Sequence, residues 1–354
     1  MLQTTFARNQ WYVAGYGREV GRSLLARTIL GEPIVFYRTS AGQPAALADR
    51  CVHRRFPLSR SRLEADRVVC GYHGFTFDPS GACVAVPAQQ RIPRTARVKR
   101  YPVMEQDSLL WVWIGEEDRA DPAGIPRAPW LSDLSWTSVS GLEHVPARYA
   151  LVVDNLLDLS HETYLHAGSI GTPEVAATPI TTEVDQDGNV VYVSRHMVAA
   201  ECPPFYARST GIQGRIDRWQ DIEYHPPCLY LLHVRVAPTG VAPGPDGEDN
   251  AAFHVEVVYA ITPETAHTTH LSWAVARDFA LDDSEVSRFL HDSNRTVIGQ
   301  DIAALTTLEQ VLVADGDRYR ELSVNIDTGG LGARRLLKAM TRSGDRAPAA
   351  AARR

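Results

Sequence analysis

The chain has neither an excess of basic residues nor a long apolar run. Its 354 residues include 36 Lys and Arg against 42 Asp and Glu, which gives a net charge of −6. A general nucleic-acid binder needs excess cationic side chains to displace counterions, so this class of function is excluded. No uninterrupted apolar stretch approaches the roughly 18–20 residues that cross a bilayer, so we expect no membrane-spanning segment and no membrane partner.

Targeting signals and disulfide patterns are also missing. The stretch from Met1 to Tyr12 lacks the basic and then apolar order of a signal peptide, so we expect a cytoplasmic protein. Cysteine is scarce, with five residues that are widely spread along the chain. An odd number of cysteines in a reducing compartment favours metal ligands or core residues over a disulfide framework.

The patterns that are present predict two domains. Short runs of β-branched and aromatic residues separated by Gly and Pro predict a small all-β domain over residues 1–117. The charged, turn-rich stretch Glu116–Pro122 marks the boundary. Residues 118–341 mix predicted strands with predicted helices, which favours an α+β domain with helices on one face of a sheet. Residues 342–354 are rich in Ala, Arg and Pro, and we expect a disordered tail there.

Two Cys/His pairs in the first domain have the spacing of a metal site. Cys51 and His53 are followed, after a gap of 16 residues, by Cys70 and His73. Two thiolates and two imidazoles can hold one zinc ion, or a Rieske [2Fe–2S] cluster in which two Cys bind one iron and two His bind the other. Because each loop supplies one Cys and one His, both loops can contribute to both irons, which favours the cluster. Zinc, or core cysteines beside unrelated histidines, are the alternatives.

A second constellation lies in the segment Asp154–His166, which combines acids, leucines and two histidines. His161 and His166 are five residues apart and would point about 140° apart on a regular α-helix. To share one metal, the helix must widen or break near Glu162 to Tyr164. Two histidines and one carboxylate suit a non-haem Fe(II) that activates O₂. The alternative is a pair of core histidines with ordinary hydrogen bonds.

Asp301 is the candidate for the third ligand. In the predicted helix 283–313, Val297, Asp301 and Leu305 follow helical spacing and share one apolar stripe. A carboxylate on that face is unfavourable unless a metal or a partner compensates its charge. The alternative is that Gly299 ends one helix and that Asp301 caps the next. The pattern alone does not choose between these two interpretations.

The motifs resemble those of Rieske non-haem iron oxygenases. The stretches from Cys51 and Cys70 resemble the cluster loops of a Rieske ferredoxin domain, although Val52 and Arg55 depart from the common C-P-H-R-G form. The family motif D-x-x-H-x-x-x-x-H corresponds to Asp158, His161 and His166, with Asp301 matching the late carboxylate. Further stretches are similar to the vanillate O-demethylase branch of the family: Trp11–Ala14, Gly31–Arg38, Arg195–Met197, Pro203–Phe205, Asp217–Gln220 and Asn325–Asp327.

The resemblance implies an all-β Rieske [2Fe–2S] domain followed by a helix-grip catalytic domain with mononuclear Fe(II). It also implies a separate reductase that passes electrons from NAD(P)H to the cluster and then to the iron, where O₂ is activated. The implied reaction hydroxylates the methoxy carbon of a vanillate-like acid and releases a protocatechuate-like phenol and formaldehyde. Another aromatic carboxylate or sulfonate is the alternative substrate. The family further implies a head-to-tail homotrimer, in which Asp158 bridges His161 and a cluster histidine, His73, across the interface.

Residues that contact the substrate are expected among polar and aromatic side chains near these motifs. We expect such contacts from Asp154, Asn155, His254 and Trp273, with plain core packing as the alternative for Trp273. Alternation along the predicted strand Tyr230–Arg235 places Arg235 on a face that we expect to look into solvent.

Two other classes of function are open at this point. One is a zinc-containing module that binds a hydrophobic ligand without catalysis, and the other is an electron carrier that keeps only the cluster. The pair His161 and His166 argues against the carrier, which needs no second metal. The sequence assigns no role to His267 and His270.

Overall fold

The computed structural model describes residues 6–87, 89–241, 251–318 and 320–344. The chain forms two compact units. The N-terminal unit comprises Arg8–Ile125 together with Thr262–Ala266, and the C-terminal unit comprises Pro126–Ile261 and the chain from His267 onward. The division therefore falls at Ile125 and not at residue 117.

The N-terminal unit is built from short strands. Its described residues form three antiparallel sheets with the strand orders β1-β11-β10, β2-β3-β4-β9 and β5-β6-β7-β8. The expected all-β fold is thereby confirmed. The strands are β1 Gln10–Tyr16, β2 Leu25–Ile29, β3 Glu32–Arg38, β4 Pro44–Ala48, β5 Arg62–Glu64, β6 Arg67–Val69, β7 Thr76–Phe77, β8 Cys83–Ala85, β9 Arg100–Tyr101, β10 Val103–Gln106 and β11 Leu109–Ile114.

The third of these sheets positions the two Cys/His pairs. The loop that holds the first pair precedes β5, and the loop that holds the second pair joins β6 to β7. Both loops share one hydrophobic core, in which Cys51 and Cys70 pack with Leu58, Val68 and Phe77. The sheet thus brings two segments that are 16 residues apart in sequence to the same end of the unit.

The C-terminal unit is an α+β structure around one seven-stranded sheet of order β12-β18-β17-β16-β15-β14-β13, as the sequence predicts. Its strands are β12 Thr137–Val145, β13 Thr181–Asp185, β14 Val190–Ala200, β15 Ile216–His225, β16 Leu229–Pro238, β17 Phe253–Pro263 and β18 Thr269–Arg277. Its α-helices are α1 Tyr149–Leu157, α2 Glu162–Leu165, α3 Pro173–Ala177, α4 Pro204–Thr210, α5 Ser284–Asp315 and α6 Thr328–Gly344.

One face of this sheet packs against the helices. Leu232 and Val234 of β16 belong to the same hydrophobic core as Val152 of α1 and Leu305 of α5. Because side chains alternate along a strand, Arg235 points to the opposite face. It is nevertheless only 9% exposed, and its guanidinium carbon lies 4.3 Å from the centre of the Trp219 ring. The expectation that Arg235 looks into solvent is therefore wrong, because an aromatic side chain on the neighbouring strand covers it.

The long helix α5 resolves the question of Asp301. It runs without interruption through Gly299, and its N-cap is Asp283, whose side chain accepts hydrogen bonds from the N–H groups of Glu285 and Val286. Asp301 lies in the middle of α5 and is 7% exposed. The interpretation of Asp301 as a helix cap is thereby excluded.

Helix α5 is also long and apolar enough by composition to cross a membrane, alone among the helices of the described ranges. It carries the buried polar residues Asn294, Asp301 and Glu309, which serve contacts inside the C-terminal unit. We therefore interpret it as the core helix of this unit.

The end of the chain differs from the expectation at three residues. Helix α6 continues to Gly344, so residues 342–344 are helical and not part of a disordered tail. The remainder of the expected tail, residues 345–354, lies outside the described residues.

A buried ion pair fastens α1 to α5. Glu309 of α5 is 5% exposed and accepts hydrogen bonds from Arg148 Nε at 2.6 Å, Arg148 Nη2 at 2.9 Å and the Arg148 backbone N–H at 3.1 Å. His267 Nδ1 lies 2.7 Å from Glu309 Oε1, the oxygen that also accepts from Arg148 Nη2, which gives this histidine a structural contact. Burial raises the pKa of Glu309, but the hydrogen bonds from Arg148 and His267 lower it by more. The net pKa is below its usual range, so the carboxylate stays ionised.

Removal of this carboxylate should loosen the pairing of α1 with α5. We expect Glu309→Ala to lower the free energy of unfolding of the C-terminal unit by about 3 kcal/mol, because it leaves the Arg148 guanidinium without its partner. The measurement is urea unfolding followed by circular dichroism at 222 nm. The exposed neighbour Gln310→Ala is the control and should change the free energy by less than about 0.5 kcal/mol. Equal stability of the two variants would contradict the prediction.

Candidate metal centres

The two Cys/His loops of the N-terminal unit share one backbone pattern. They span Cys51–Phe56 and Cys70–Phe75, and in each the Cys N–H donates to the carbonyl of the Phe five residues later. The Cys carbonyl accepts from the N–H four residues later, that of Arg55 in the first loop and Gly74 in the second. These two residues have positive φ angles of 60° and 71°. Arg55 therefore adopts the left-handed conformation that favours glycine, at a cost of roughly 1–2 kcal/mol.

The burial of the four side chains fits a Rieske cluster. Cys51 and Cys70 are 2% and 1% exposed, whereas His53 and His73 are exposed, with their ring centres 4.5 Å apart. One mononuclear tetrahedral zinc would require all four donor atoms to converge. Within the described ranges, no three donor atoms of this set lie within 4.8 Å of one another. Buried sulfurs and exposed imidazoles instead suit a cluster with one iron on each side.

The second centre lies in the C-terminal unit, where His161, His166 and Asp301 come together. Donor atoms from these three side chains all lie within 4.8 Å of one another. The Oδ1 atom of Asp301 is 3.5 Å from His161 Nε2 and 3.2 Å from His166 Nε2. Ligands about 2.1 Å from one metal, at angles of roughly 90–109°, are separated by about 3.0–3.4 Å. The two distances to Asp301 are close to this range, so the three donors are arranged as two histidines and one carboxylate around a single ion would be.

A break in the helical path allows both histidines to reach this point. Helix α1 ends at Leu157, Asp158 is extended with φ −117° and ψ 91°, and a 3₁₀ turn spans Leu159–His161. Helix α2 then ends before His166, which has left the helical conformation at φ −109° and ψ 23°. The expected break exists, but it lies at Asp158 and at His166 and not at Glu162 to Tyr164.

Hydrogen bonds orient the three donors toward their common point. His161 Nδ1 contacts the backbone carbonyl of Asp158, and His166 Nδ1 lies 2.8 Å from Gln300 Oε1. Asn155 Nδ2 donates to Asp301 Oδ1 at 3.1 Å. With both Nδ1 atoms engaged, each Nε2 is left for a metal, as is usual for metal-binding histidines. Burial lowers the pKa of His166, but Asp301 and Gln300 raise it by more, and a metal would replace that proton.

The carboxylate of Asp158 makes a different contact from the expected one. It accepts hydrogen bonds from the Ser160 N–H at 2.9 Å and the Ser160 hydroxyl at 2.6 Å, and so caps the 3₁₀ turn. Within this chain it is the backbone carbonyl of Asp158, and not the carboxylate, that contacts His161. The reason is the extended conformation of Asp158, which turns the side chain toward the N–H groups of the following turn.

The four residues that were expected to contact the substrate lie in different parts of the C-terminal unit. Asn155 lies at the iron site on Asp301, whereas Asp154 forms an ion pair with Arg334 of α6. Burial raises the pKa of Asp154 despite the guanidinium beside it. Trp273 is fully buried on the core face of the sheet. His254 lies on the opposite face, with Nδ1 2.6 Å from Asp278 Oδ2, so the structure does not bring it to the iron site.

Two features near the iron site had no signal in the sequence. Gln300 lies beside Asp301 in the chain, but only the tertiary structure places its amide on His166. Glu162, which follows His161, is 3% exposed and pairs with Arg218 and Gln220 of β15. These residues are more than 50 positions apart in sequence, so spacing alone could not connect them. His270 pairs with His144 across β12 and β18, with ring centres 6.3 Å apart.

The cluster assignment predicts different results for two residues of the N-terminal unit. His73→Ala should bleach the visible spectrum because it removes one of the four ligands. Cys83→Ser should keep the spectrum, because Cys83 lies outside the two Cys/His loops and its buried Sγ donates to the Ala85 carbonyl at 3.4 Å. The measurement is absorbance of the purified proteins. A colourless Cys83→Ser protein together with a brown His73→Ala protein would show that the ligand set is wrong.

If Asp301 is a ligand of the mononuclear iron, its replacement should remove that iron and leave the cluster in place. Asp301→Ala should lower the iron content from about three to about two per chain, because the two cluster irons have other ligands. The visible spectrum should remain and turnover should stop. Asp292→Ala, on an exposed position of the same helix, is the control and should keep all of its iron. Full iron content in Asp301→Ala would remove Asp301 from the ligand set.

Comparison with known proteins supports both centres. A model of the Rieske [2Fe-2S] domain matches residues 10–102, and a model of the vanillate O-demethylase oxygenase C-terminal domain matches residues 145–343. The chain is 36% identical over 337 residues to a vanillate O-demethylase oxygenase subunit from a Pseudomonas species, covering 94% of each chain. It is 35% identical to an iron-sulfur subunit of the toluene-4-sulfonate monooxygenase system of Comamonas testosteroni, covering 88% of this chain and 91% of that one.

Solved structures show the same fold. The crystal structure of dicamba monooxygenase bound to 3,6-dichlorosalicylic acid has a TM-score of 0.90 and 30% sequence identity, covering 97% of this chain and all of that one. A second dicamba monooxygenase structure, with non-haem iron and dicamba, has a TM-score of 0.83 at 29% identity and covers 96% and 98% of the two chains.

The geometry and the similarities agree over nearly the whole chain. A cluster-binding unit with buried cysteines and exposed histidines precedes a unit in which two histidines and an aspartate converge. This combination requires a [2Fe–2S] cluster and a mononuclear non-haem iron, and it excludes both the zinc-containing module and the simple electron carrier. The chain belongs to the Rieske non-haem iron oxygenases, in the branch of the vanillate O-demethylase oxygenase components.

Proposed function

We propose that this protein is the oxygenase component of an O-demethylase that acts on a vanillate-like methoxybenzoate. The observation that carries the proposal is the converging triad His161, His166 and Asp301 in a chain that is 36% identical to a vanillate O-demethylase oxygenase subunit over 94% of its length. Hydroxylation of the methoxy carbon, with one oxygen atom of O₂, two electrons and two protons, gives a hemiacetal. The hemiacetal collapses to a phenol and formaldehyde, and the second oxygen atom leaves as water.

In this proposal, Cys51, His53, Cys70 and His73 hold the cluster, and the triad holds the iron. When bound, these two groups supply single-electron transfer and O₂ activation. The protein residues set the geometry. Gln300 and the Asp158 carbonyl fix the two imidazoles, and Asn155 keeps Asp301 Oδ1 oriented. The aliphatic side chains of the inner sheet face exclude water from the reacting carbon.

Electrons must come from a partner, since the chain has no motif that we assign to binding NAD(P)H or flavin. We propose a separate NAD(P)H-dependent reductase and a head-to-tail homotrimer, as the resemblance implies. In that trimer Asp158 would accept a hydrogen bond from a cluster histidine of the neighbouring subunit. Support comes from its position three residues before His161, on a half-buried segment of the chain.

A second candidate is the oxidation of an aromatic sulfonate. It is favoured by the 35% identity to an iron-sulfur subunit of a toluene-4-sulfonate monooxygenase system, which is close to the value for the demethylase subunit. Both substrates are aromatic anions of similar size. The two candidates differ in product, because only removal of a methyl group from oxygen releases formaldehyde.

The test is turnover of the purified protein with a generic ferredoxin-type reductase, NADH and a panel of aromatic acids. We expect one formaldehyde per vanillate consumed, and none from toluene-4-sulfonate or from protocatechuate. His166→Ala should consume no vanillate, which controls for uncoupled chemistry of the reductase. Oxidation of toluene-4-sulfonate without formaldehyde from any methoxybenzoate would favour the second candidate instead.

A further inference from the structure

Tyrosines of three neighbouring strands form a row on the inner face of the sheet. Tyr230 of β16 is paired with Tyr224 of β15 on one side and with Tyr259 of β17 on the other. All three side chains belong to the hydrophobic core that the helices cover. Tyr230 lies at the centre of the row and is 1% exposed. The fold thus places a phenol hydroxyl deep inside the unit that carries the candidate iron ligands.

The hydroxyl groups of two of these tyrosines differ in their partners. Tyr224 Oη lies 2.5 Å from Tyr149 Oη and donates to the Pro227 carbonyl at 2.8 Å. Tyr230 Oη is buried and has no hydrogen-bond partner in the described part of the chain. A buried hydroxyl without a hydrogen bond is unfavourable. A ligand that accepts a hydrogen bond from Tyr230 would remove this cost.

A second polar atom of this kind lies on α5. Asn294 is 6% exposed, and its Nδ2 atom has no hydrogen-bond partner within the described ranges. Its side chain lies beside the Tyr259 hydroxyl, whose pKa burial raises and Asn294 lowers by less. The ring centres of Tyr259 and Tyr230 are 5.8 Å apart. Two buried donors, one from the sheet and one from the helix, therefore both lie next to Tyr259.

Both donors are close to the candidate iron ligands. Asn294 precedes Asp301 by seven residues of α5. Seven residues make nearly two helical turns, so the two side chains leave the same buried face of the helix about 10.5 Å apart along its axis. Burial raises the pKa of Tyr230 well above its usual range, and the nearby carboxylates of Glu162 and Asp301 add to this. The Tyr230 hydroxyl therefore stays protonated and can donate a hydrogen bond.

This arrangement suits an aromatic acid that reaches from the iron ligands toward Asn294. The two donors are a neutral hydroxyl and a neutral amide, and the oxygens of an acid group accept hydrogen bonds from both. Ile298 lies between Asn294 and Asp301 on α5 and belongs to the same hydrophobic core as Tyr230, so it presents an apolar surface to a ring. A ring with its methoxy group toward Asp301 and its acid group toward Asn294 spans a distance of this order.

We propose that Tyr230 and Asn294 bind the acid group of the aromatic substrate, beside the iron ligands on the inner face of the sheet. This inference rests on the proposed function, which supplies an aromatic carboxylate or sulfonate as the ligand. The Tyr230 hydroxyl would donate to one oxygen of the acid and the Asn294 amide to another, which turns the methoxy group toward the iron. Recognition of the acid would then come from two neutral donors, and not from the four residues that the sequence suggested.

The experiment compares vanillate with 2-methoxy-4-methylphenol, which keeps the ring, the methoxy group and the phenol but has a methyl group in place of the acid. Binding to the holoenzyme is measured by isothermal titration calorimetry without reductase. Tyr230→Phe removes only the hydroxyl and should bind vanillate about 10- to 100-fold more weakly, while its affinity for 2-methoxy-4-methylphenol changes little. Asn294→Leu, which keeps the size of the side chain without the amide, should weaken vanillate in the same selective way.

Tyr224→Phe is the matched control, because it removes a hydroxyl from the same row whose partners lie in the chain itself. It should keep the wild-type preference for vanillate and should melt at a lower temperature than wild type, because Tyr149 loses a hydrogen bond. Tyr230→Phe removes a buried hydroxyl without a partner in the described ranges, so without ligand it should melt at or above the wild-type temperature.

Two results would overturn the proposal. One is a Tyr230→Phe protein that melts more than about 5 °C lower than wild type and binds both ligands equally more weakly, which would show a role in packing alone. The other is a Tyr230→Phe protein that binds vanillate as tightly as wild type does.

The fate of the proposed function can be separated from this result. If no methoxybenzoate releases formaldehyde but Tyr230→Phe selectively weakens the binding of toluene-4-sulfonate, the demethylase proposal fails and the acid subsite stands. If wild type releases formaldehyde from vanillate and Tyr230→Phe does so with an unchanged KM, the demethylase proposal stands and the subsite fails.

Discussion

The convergence of two imidazoles and one carboxylate at a single point is the constraint on which the C-terminal unit depends. His166 is 1% exposed and Asp301 is 7% exposed, and neither position would be favourable for such groups without a compensating charge. The surrounding structure holds them there in spite of this. Helix α1 stops at Asp158, a 3₁₀ turn redirects the chain, and α5 runs on for 32 residues to present Asp301 from its buried face.

Two sets of contacts support the three converging side chains: hydrogen bonds to the side chains themselves, and ion pairs between the helices around them. Asn155 and Gln300 act on the ligands themselves, while the Arg148–Glu309 ion pair ties α1 to α5 about two helical turns away from Asp301. Helix α6 is fastened to α1 in turn by the pair of Asp154 with Arg334. These two ion pairs thus fix the register of three helices that carry or support the candidate iron ligands.

The two metal centres are assembled from the chain in different ways. The cluster loops of the N-terminal unit are local structures, with a repeated pair of backbone hydrogen bonds and one left-handed residue in each. The iron site instead collects residues that are 140 positions apart from His161 to Asp301. The first centre is therefore visible in short motifs, whereas one of the three donors of the second depends on how a late helix packs.

The sequence by itself determined the α+β class and predicted both cofactors and six of the seven candidate ligands, because each metal demands particular side chains at particular spacings. It left Asp301 open between ligand and helix cap, since only packing shows that α5 continues through Gly299. It also misjudged Arg235 and His254, which lie on the face opposite the helices, because alternation along a strand shows neither which face the helices cover nor which side chains of the neighbouring strand cover the other face. The contacts of Gln300 and Glu162 were decided by tertiary structure alone, since each joins segments that are distant in sequence and no local pattern encodes them.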